Sequence, residues 1–233
     1  MTTELTGRTA VVTGTAHGIG TAIADALAGD GATVFRVDRD EADLTSAGAV
    51  RKYFAGLGAV DILVNNAGGV CGQVGRPLEE VTGEAWDEVV GANLTSVFLC
   101  TRAVVPAMKE RRWGRIVNIS STAGRSVSRT GIQAYASAKA AQIGFTRQMA
   151  HELGPYGITV NCIAPGFIRS NPTTERQWQS YGEEGQRELV AGIAMRRLGE
   201  PADIANGVQF LVAERSSWIT GQTISIDGGH AFL

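Results

Sequence analysis

Tyr135 and Lys139 stand four residues apart in the run YASAK, so on a helix they share a face and the ammonium can lie beside the phenol. Ser121 lies 14 residues upstream in NISSTAG and brings a hydroxyl to the same chemistry. A phenol of ordinary pKa, about 10, exchanges protons near neutral pH if nearby positive charge lowers it to about 7, which takes about 4 kcal/mol. That is general acid or base chemistry at an alcohol or carbonyl oxygen. A Tyr and a Lys at this spacing occur by chance in many helices, so the pair needs support from elsewhere in the chain.

Support comes from TGTAHGIG, residues 13–20, which joins a β-prone run, TAVVT, to an alanine-rich stretch. Gly14, Gly18 and Gly20 allow a tight turn and a close ligand, and the helix that follows offers free N–H groups to a pyrophosphate. The spacing GxxxGxG differs from the GxGxxG fingerprint. Asp38 ends the second β-prone run, 18 residues after Gly20, where a carboxylate can accept hydrogen bonds from adenosine ribose hydroxyls. This favours NAD over NADP, since a 2′-phosphate would face a carboxylate and His17 replaces an Arg that could neutralise it. Arg39 works the other way, as a guanidinium able to stack on adenine or pair with phosphate. In LVNNAGG, residues 63–69, side-chain amides at a strand end either border a cofactor or pin the sheet.

Six β-prone runs, at residues 9–13, 33–37, 61–65, 115–120, 159–163 and 223–227, carry these groups. Helix-length segments at 84–108, 135–153 and 202–213 lie between them, the last entered through Pro201. The alternation predicts an α/β fold of the Rossmann type: a doubly wound parallel sheet with helices on both faces. Between Asp38 and Asn65 there is room for one full helix, at 45–57. If the segment around Asp43 and Leu44 is a strand, a turn at 39–42 has replaced the usual helix before it. Residues 166–185 read as a long irregular stretch suited to a lid or substrate loop.

The chain has 233 residues, 44% hydrophobic and 19% charged, which fits one domain spanning 1–233. A formal charge of −2 argues against nucleic acid and anionic membrane as partners. Glycine is the outlier, at 30 residues. Cys71, Cys100 and Cys162 are too few and too scattered for a disulfide framework or a zinc site, and His17, His151 and His230 share no ligand spacing, so no metal is expected. The N-terminus lacks a signal pattern and no long apolar run occurs, so a cytoplasmic protein is expected.

TGxxxGxG, then NNAG, Asn93 in GANLTSVF, Ser121 in NISSTAG, YxxxK, APG at 164–166 and WITGQTISIDGG at 218–229 together resemble the classical short-chain dehydrogenase/reductase family over essentially the whole chain. The resemblance implies a dinucleotide-binding half, about 1–120, and a catalytic and substrate half, about 121–233. It implies that Tyr135 exchanges the proton, Ser121 orients the substrate oxygen, Lys139 lowers the Tyr135 pKa and binds ribose, and Asn93 holds a water linking Lys139 to solvent. Cofactor contacts are implied for Gly14, His17, Ile19, Gly20, Asp38, Asp43, Leu44, Asn65, Ala67, Gly68, Pro165, Gly166, Ile168 and Ser170. The shortened segment is expected to leave the adenine side more open. The activity implied is hydride transfer between NAD(H) and a small secondary alcohol, polyol, hydroxy acid or sugar acid, or the corresponding ketone. Alternatives are an NADPH-dependent 3-oxoacyl (carrier-protein) reductase and a non-catalytic cofactor sensor. Arg169, Arg176 and Arg187 are candidates for a substrate carboxylate or for solvated surface. The helix at Tyr135, alanine-rich on several sides, suggests a subunit contact, and the family's common homotetramer agrees.

Overall fold

The computed structural model describes residues 4–128 and 130–231. Strands β1 (Thr9–Thr13), β2 (Thr33–Val37), β3 (Ile62–Asn65), β4 (Gly114–Ile119), β5 (Ile158–Pro165) and β6 (Thr223–Ile226) form one sheet in the order β2-β1-β3-β4-β5-β6. All pairs are parallel, with Val11 opposite both Phe35 and Leu63. Because β1 pairs on both sides, the chain winds outward in two directions from it and leaves a crevice beyond the carboxyl ends of β1 and β3.

Both faces are covered, which is why β1 and β3 carry consecutive apolar residues, Ala10 to Val12 and Ile62 to Val64. On one face α1 (Gly18–Gly29) and α8 (Pro201–Val212) pack Ile23, Leu27, Ile204, Val208 and Leu211 against Val12, Val64 and Ile163. On the other, α2 (Ala47–Ala55), α4 (Ser96–Arg111) and α5 (Gln133–Leu153) pack Phe54, Leu99, Val104, Met108 and Leu153 against Leu63, Ile116 and Val160. The helical run Gly83–Arg111 is long and apolar enough to cross a membrane by composition. Here it is a core element: α4 rests on β3 and β4, and α3 (Gly83–Val90) rests on α5.

Three expectations are corrected. No strand forms at Asp43 and Leu44: the N–H groups of Glu41 and Ala42 both reach the Asp38 carbonyl, and the chain turns directly toward α2. Asp43 accepts from the N–H and Oγ1 of Thr45, a local side-chain turn that competes with strand pairing, while Ala42 and Leu44 are buried beside Val37 and Phe54. Second, residues 166–185 are mostly helical, comprising α6 (Pro172–Ser180) and the start of α7 (Gly182–Ala191). Asn171 caps α6 by accepting from the N–H groups of Thr173 and Thr174, and Pro172 sits at the first helical position, where it lacks only an unneeded donor. Third, the helix expected over 84–108 is interrupted by a π-helical turn, Gly91–Thr95, between α3 and α4.

Candidate active site

The glycine turn between β1 and α1 is built to exclude side chains. Gly14 and Gly18 have φ of +71° and +57°, in the left-handed region that glycine tolerates. A Cβ on Gly14 would lie 2.7 Å from the Ala67 Cα, one on Gly18 would collide with the backbone of Ser170, and one on Gly20 with the Gly14 carbonyl. Asn66, which the sequence reading did not single out, clamps the turn: its Nδ2 donates to the carbonyls of Thr13 and Gly14 at 3.1 and 2.9 Å. Thr13 Oγ1 in turn accepts from the N–H groups of Asn66 and Ala67. At the N-terminus of α1, His17 occupies the cap position without a side-chain cap bond and the first turn has no acidic residue, so its N–H groups are left to an anion. A nicotinamide dinucleotide fits this cradle: Gly14, His17, Ile19 and Gly20 would hold its pyrophosphate, and Ser170 lies against Gly18 beside them.

Asp38 stands at the next strand end. Its Oδ2 accepts from the Ala16 N–H in the glycine turn at 2.8 Å, and its Oδ1 from the Arg39 N–H at 2.9 Å. Other expected contacts are placed less directly. Asn65 turns its side chain into the core, where Nδ2 donates to Thr101 Oγ1 and Asn118 Oδ1, so only its backbone faces the crevice. Asp43 takes both Thr45 bonds on Oδ1 alone and remains exposed, whereas the Leu44 and Ile168 side chains are buried, so those two positions offer backbone alone. Gly68, at φ +143°, lies against the Asn93 amide, and Gly166 is held at the end of β6, its N–H on the Ile226 carbonyl. Pro165 closes β5 beside it.

Between the ends of β4 and β5, Ser121, Tyr135 and Lys139 come together. Ser121 caps a short 3-10 turn, Thr122–Gly124, its Oγ accepting from the Ala123 N–H, and it is hydrogen-bonded to Tyr135. Ser120 Oγ donates to the Lys139 carbonyl at 2.7 Å and is thereby fixed in the scaffold, so Ser121 is the hydroxyl available for chemistry. Gly124 lets this turn lie against α5: a Cβ there would come within 2.6 Å of the Lys139 carbonyl carbon. Lys139, 4% exposed, donates from Nζ to the Ile119 carbonyl at 2.8 Å and lies 5.8 Å from the centre of the Tyr135 ring. Burial lowers its ammonium from 10.5 to about 8, with Cys162 nearby acting in the opposite direction.

The expected lowering of Tyr135 is not found in the protein alone. Burial pushes its phenol above the ordinary value, and the opposing influence is the Ser121 hydrogen bond rather than Lys139, whose Nζ donates to Ile119. Asn93 lies in the π-helical turn, between the loop after β3 and α5. The π-helical turn buries its side chain, which donates to the carbonyls of Gly69 and Val89, while its own carbonyl accepts from Gln142 Nε2 at 2.5 Å. It thereby ties the loop after β3 to α5. Gln142, also absent from the sequence reading, sits one turn beyond Lys139. The arginines proposed for a carboxylate are otherwise engaged: Arg169 binds Glu175 through two bonds of 2.8 and 3.0 Å, Arg187 pairs with Glu183, and Arg176 donates to Thr173. Among the described residues no cluster of His, Cys, Asp and Glu could hold a metal ion.

Comparison with known proteins agrees with this geometry. A family model described as short chain dehydrogenase matches residues 8–49, and one described as enoyl-(acyl carrier protein) reductase matches residues 41–231. The 3-oxoacyl-[acyl-carrier-protein] reductase of Vibrio cholerae is 35% identical over 248 residues, covering 97% of this chain and 98% of the relative. A crystal structure of a 3-oxoacyl-[acyl-carrier protein] reductase with bound NAD from Brucella melitensis superposes with a TM-score of 0.89 at 34% identity, over 100% of this chain and 94% of that one. One named ribose-5-phosphate isomerase, from Brucella melitensis 16M, does so with a TM-score of 0.90 at 34% identity, over 99% and 94%. Sequence motifs, parallel sheet and the Ser121, Tyr135 and Lys139 constellation all lead to one assignment: the chain belongs to the classical short-chain dehydrogenase/reductase family of oxidoreductases.

Proposed function

We propose that the protein interconverts a secondary alcohol and its ketone using NAD(H) in preference to NADP(H). The observation that carries this reading is the hydrogen-bonded Ser121 and Tyr135 pair beside Lys139, set at the same sheet edge as the uncapped N-terminus of α1. A bound nicotinamide would supply the hydride chemistry at the substrate carbon. Ser121 donates a hydrogen bond that orients and polarises the substrate oxygen, and Tyr135 gives that oxygen a proton in reduction and takes it back in oxidation. Lys139 binds ribose hydroxyls from inside the protein and keeps a positive charge near the phenol. Asp38 binds the adenosine ribose. A superposable protein bearing an isomerase name shows how little the fold alone says of the reaction, so the reading rests on the site.

A second reading, reduction of a 3-oxoacyl thioester, is favoured by the names of the similar reductases. Among the described residues Arg169 is tied to Glu175 by two bonds, which weighs against its serving a substrate carboxylate, whereas the exposed Arg187 and Glu183 pair at 3.7 Å does not. We also propose that the chain acts as a homo-oligomer on small-molecule substrates.

The test is turnover of a panel of secondary alcohols with NAD and of an acetoacetyl thioester with NADH and NADPH, by wild type and Tyr135→Phe. The variant is expected to lose at least about 100-fold in kcat while its NADH affinity stays within about twofold, as the loss of general catalysis alone requires. A variant that keeps more than a tenth of the turnover overturns the role given to Tyr135.

A further inference from the structure

We infer that Glu41 is a second determinant of cofactor selectivity, occupying the Asp38 N–H and closing the corner beside the Asp38 carboxylate to a 2′-phosphate. The inference rests on the nicotinamide reading above. Asp38 and Glu41 have the spacing of a helical cap, in which an acidic side chain three residues on reaches back to the cap N–H. Glu41 does this, its Oε2 accepting from the Asp38 N–H at 2.7 Å, while its own N–H goes to the Asp38 carbonyl.

The consequence falls on Asp38. In a full capping box its side chain would turn back to the Glu41 N–H, but that donor is spent on the backbone carbonyl. The carboxylate instead spans outward to the Ala16 N–H, at the rim of the glycine turn, and each oxygen keeps a lone pair for a ribose hydroxyl. The Asp38 N–H, a donor that could have met a phosphate oxygen, is already taken by Glu41. A 2′-phosphate would therefore meet two carboxylates, with the exposed Arg39 as the opposing charge. The geometry follows from the shortened connection: with no strand at Asp43, the chain from Asp38 must turn at once, and the turn places Glu41 back against its start.

The experiment measures Kd for NADH and for NADPH by calorimetry on wild type, Glu41→Gln and Glu41→Ala, at low and high ionic strength. Glu41 is exposed, and matched thermal transitions verify that the variants fold alike. Glu41→Gln keeps an acceptor for the Asp38 N–H and loses the charge, so NADH affinity is expected to hold within twofold while NADPH tightens about fivefold at low salt, the gain shrinking as salt screens the charge. Glu41→Ala also frees the Asp38 N–H as a donor to a phosphate oxygen, so NADPH tightens further and the NADH to NADPH preference falls about tenfold. If both variants keep the wild-type preference within twofold, Glu41 has no such role. Wild type that binds neither cofactor overturns the nicotinamide reading itself, a result separate from a preference that is present but does not move.

Discussion

Lys139 is a charge held inside the protein against the preference of its surroundings. Its ammonium ionises at about 8 when folded against 10.5 ordinarily, so between those values the unfolded chain binds more protons than the native one and native stability rises with pH. Below about 8 both states are protonated and the full penalty, about 3 kcal/mol, is present. Lys139→Met is accordingly expected to abolish turnover yet to gain on the order of 1–3 kcal/mol of stability at pH 7, an advantage that shrinks toward pH 10. Denaturant unfolding of both proteins at the two pH values checks this, and a variant less stable than wild type at pH 7 refutes it. Tyr135 and Lys139 were legible because a helical spacing states their proximity. Ser121 was named by the resemblance, while the reason it rather than Ser120 is available lies in the fold, where the Ser120 hydroxyl reaches the Lys139 carbonyl across two elements. The roles of Asn66 and Gln142 were not legible, because their amides serve backbone groups far away in the chain.

The elements that carry these residues are fixed by close approaches that only the three-dimensional structure displays. The turn bearing Ser121 rests on α5 at Gly124, whose missing Cβ leaves room for the Lys139 and Ala140 backbone. Gly124→Ala must push the turn outward, because a backbone neighbour at 2.6 Å cannot swing aside as a side chain could. The expected result is a loss of about 1–3 kcal/mol in stability, typical of overpacking, with a kcat lowered at least about tenfold and cofactor affinity little changed. Unaltered kcat would mean that the turn does not position Ser121. The boundaries of β1 and β2 were readable from composition, whereas the π-helical turn at Gly91–Thr95 was not, for its cause is the lodging of Asn93 between Gly69 and Gln142. The start of α6 could have been read from Asn171 and Pro172, a cap followed by a first-turn proline.

At the scale of the whole molecule, the alternation of strands and helices predicted a parallel sheet covered on both faces, and the shortened segment between Asp38 and Asn65 marked an irregularity, which the structure resolves as a turn that leaves β2 at the sheet edge. The exposed surface carries apolar groups that a lone chain has no use for. Phe98 on α4 is 43% exposed, Phe210 on α8 is 44% exposed, and Trp218 is 97% exposed. On α5, a Cβ at Gly144 would meet nothing within 4 Å, so the middle of this alanine-rich helix presents open backbone surface, the kind of flat apolar patch that a second copy covers well. Because α5 also carries Tyr135 and Lys139, covering it would stiffen the helix that holds the chemistry. Self-association is therefore expected, with sedimentation giving a mass above one chain. Phe98→Glu combined with Gly144→Glu is expected to shift the protein to smaller species and lower kcat, with helical content retained. A wild type that sediments as a monomer at micromolar concentration removes the basis for this expectation, and a dissociated variant with full kcat would separate assembly from catalysis.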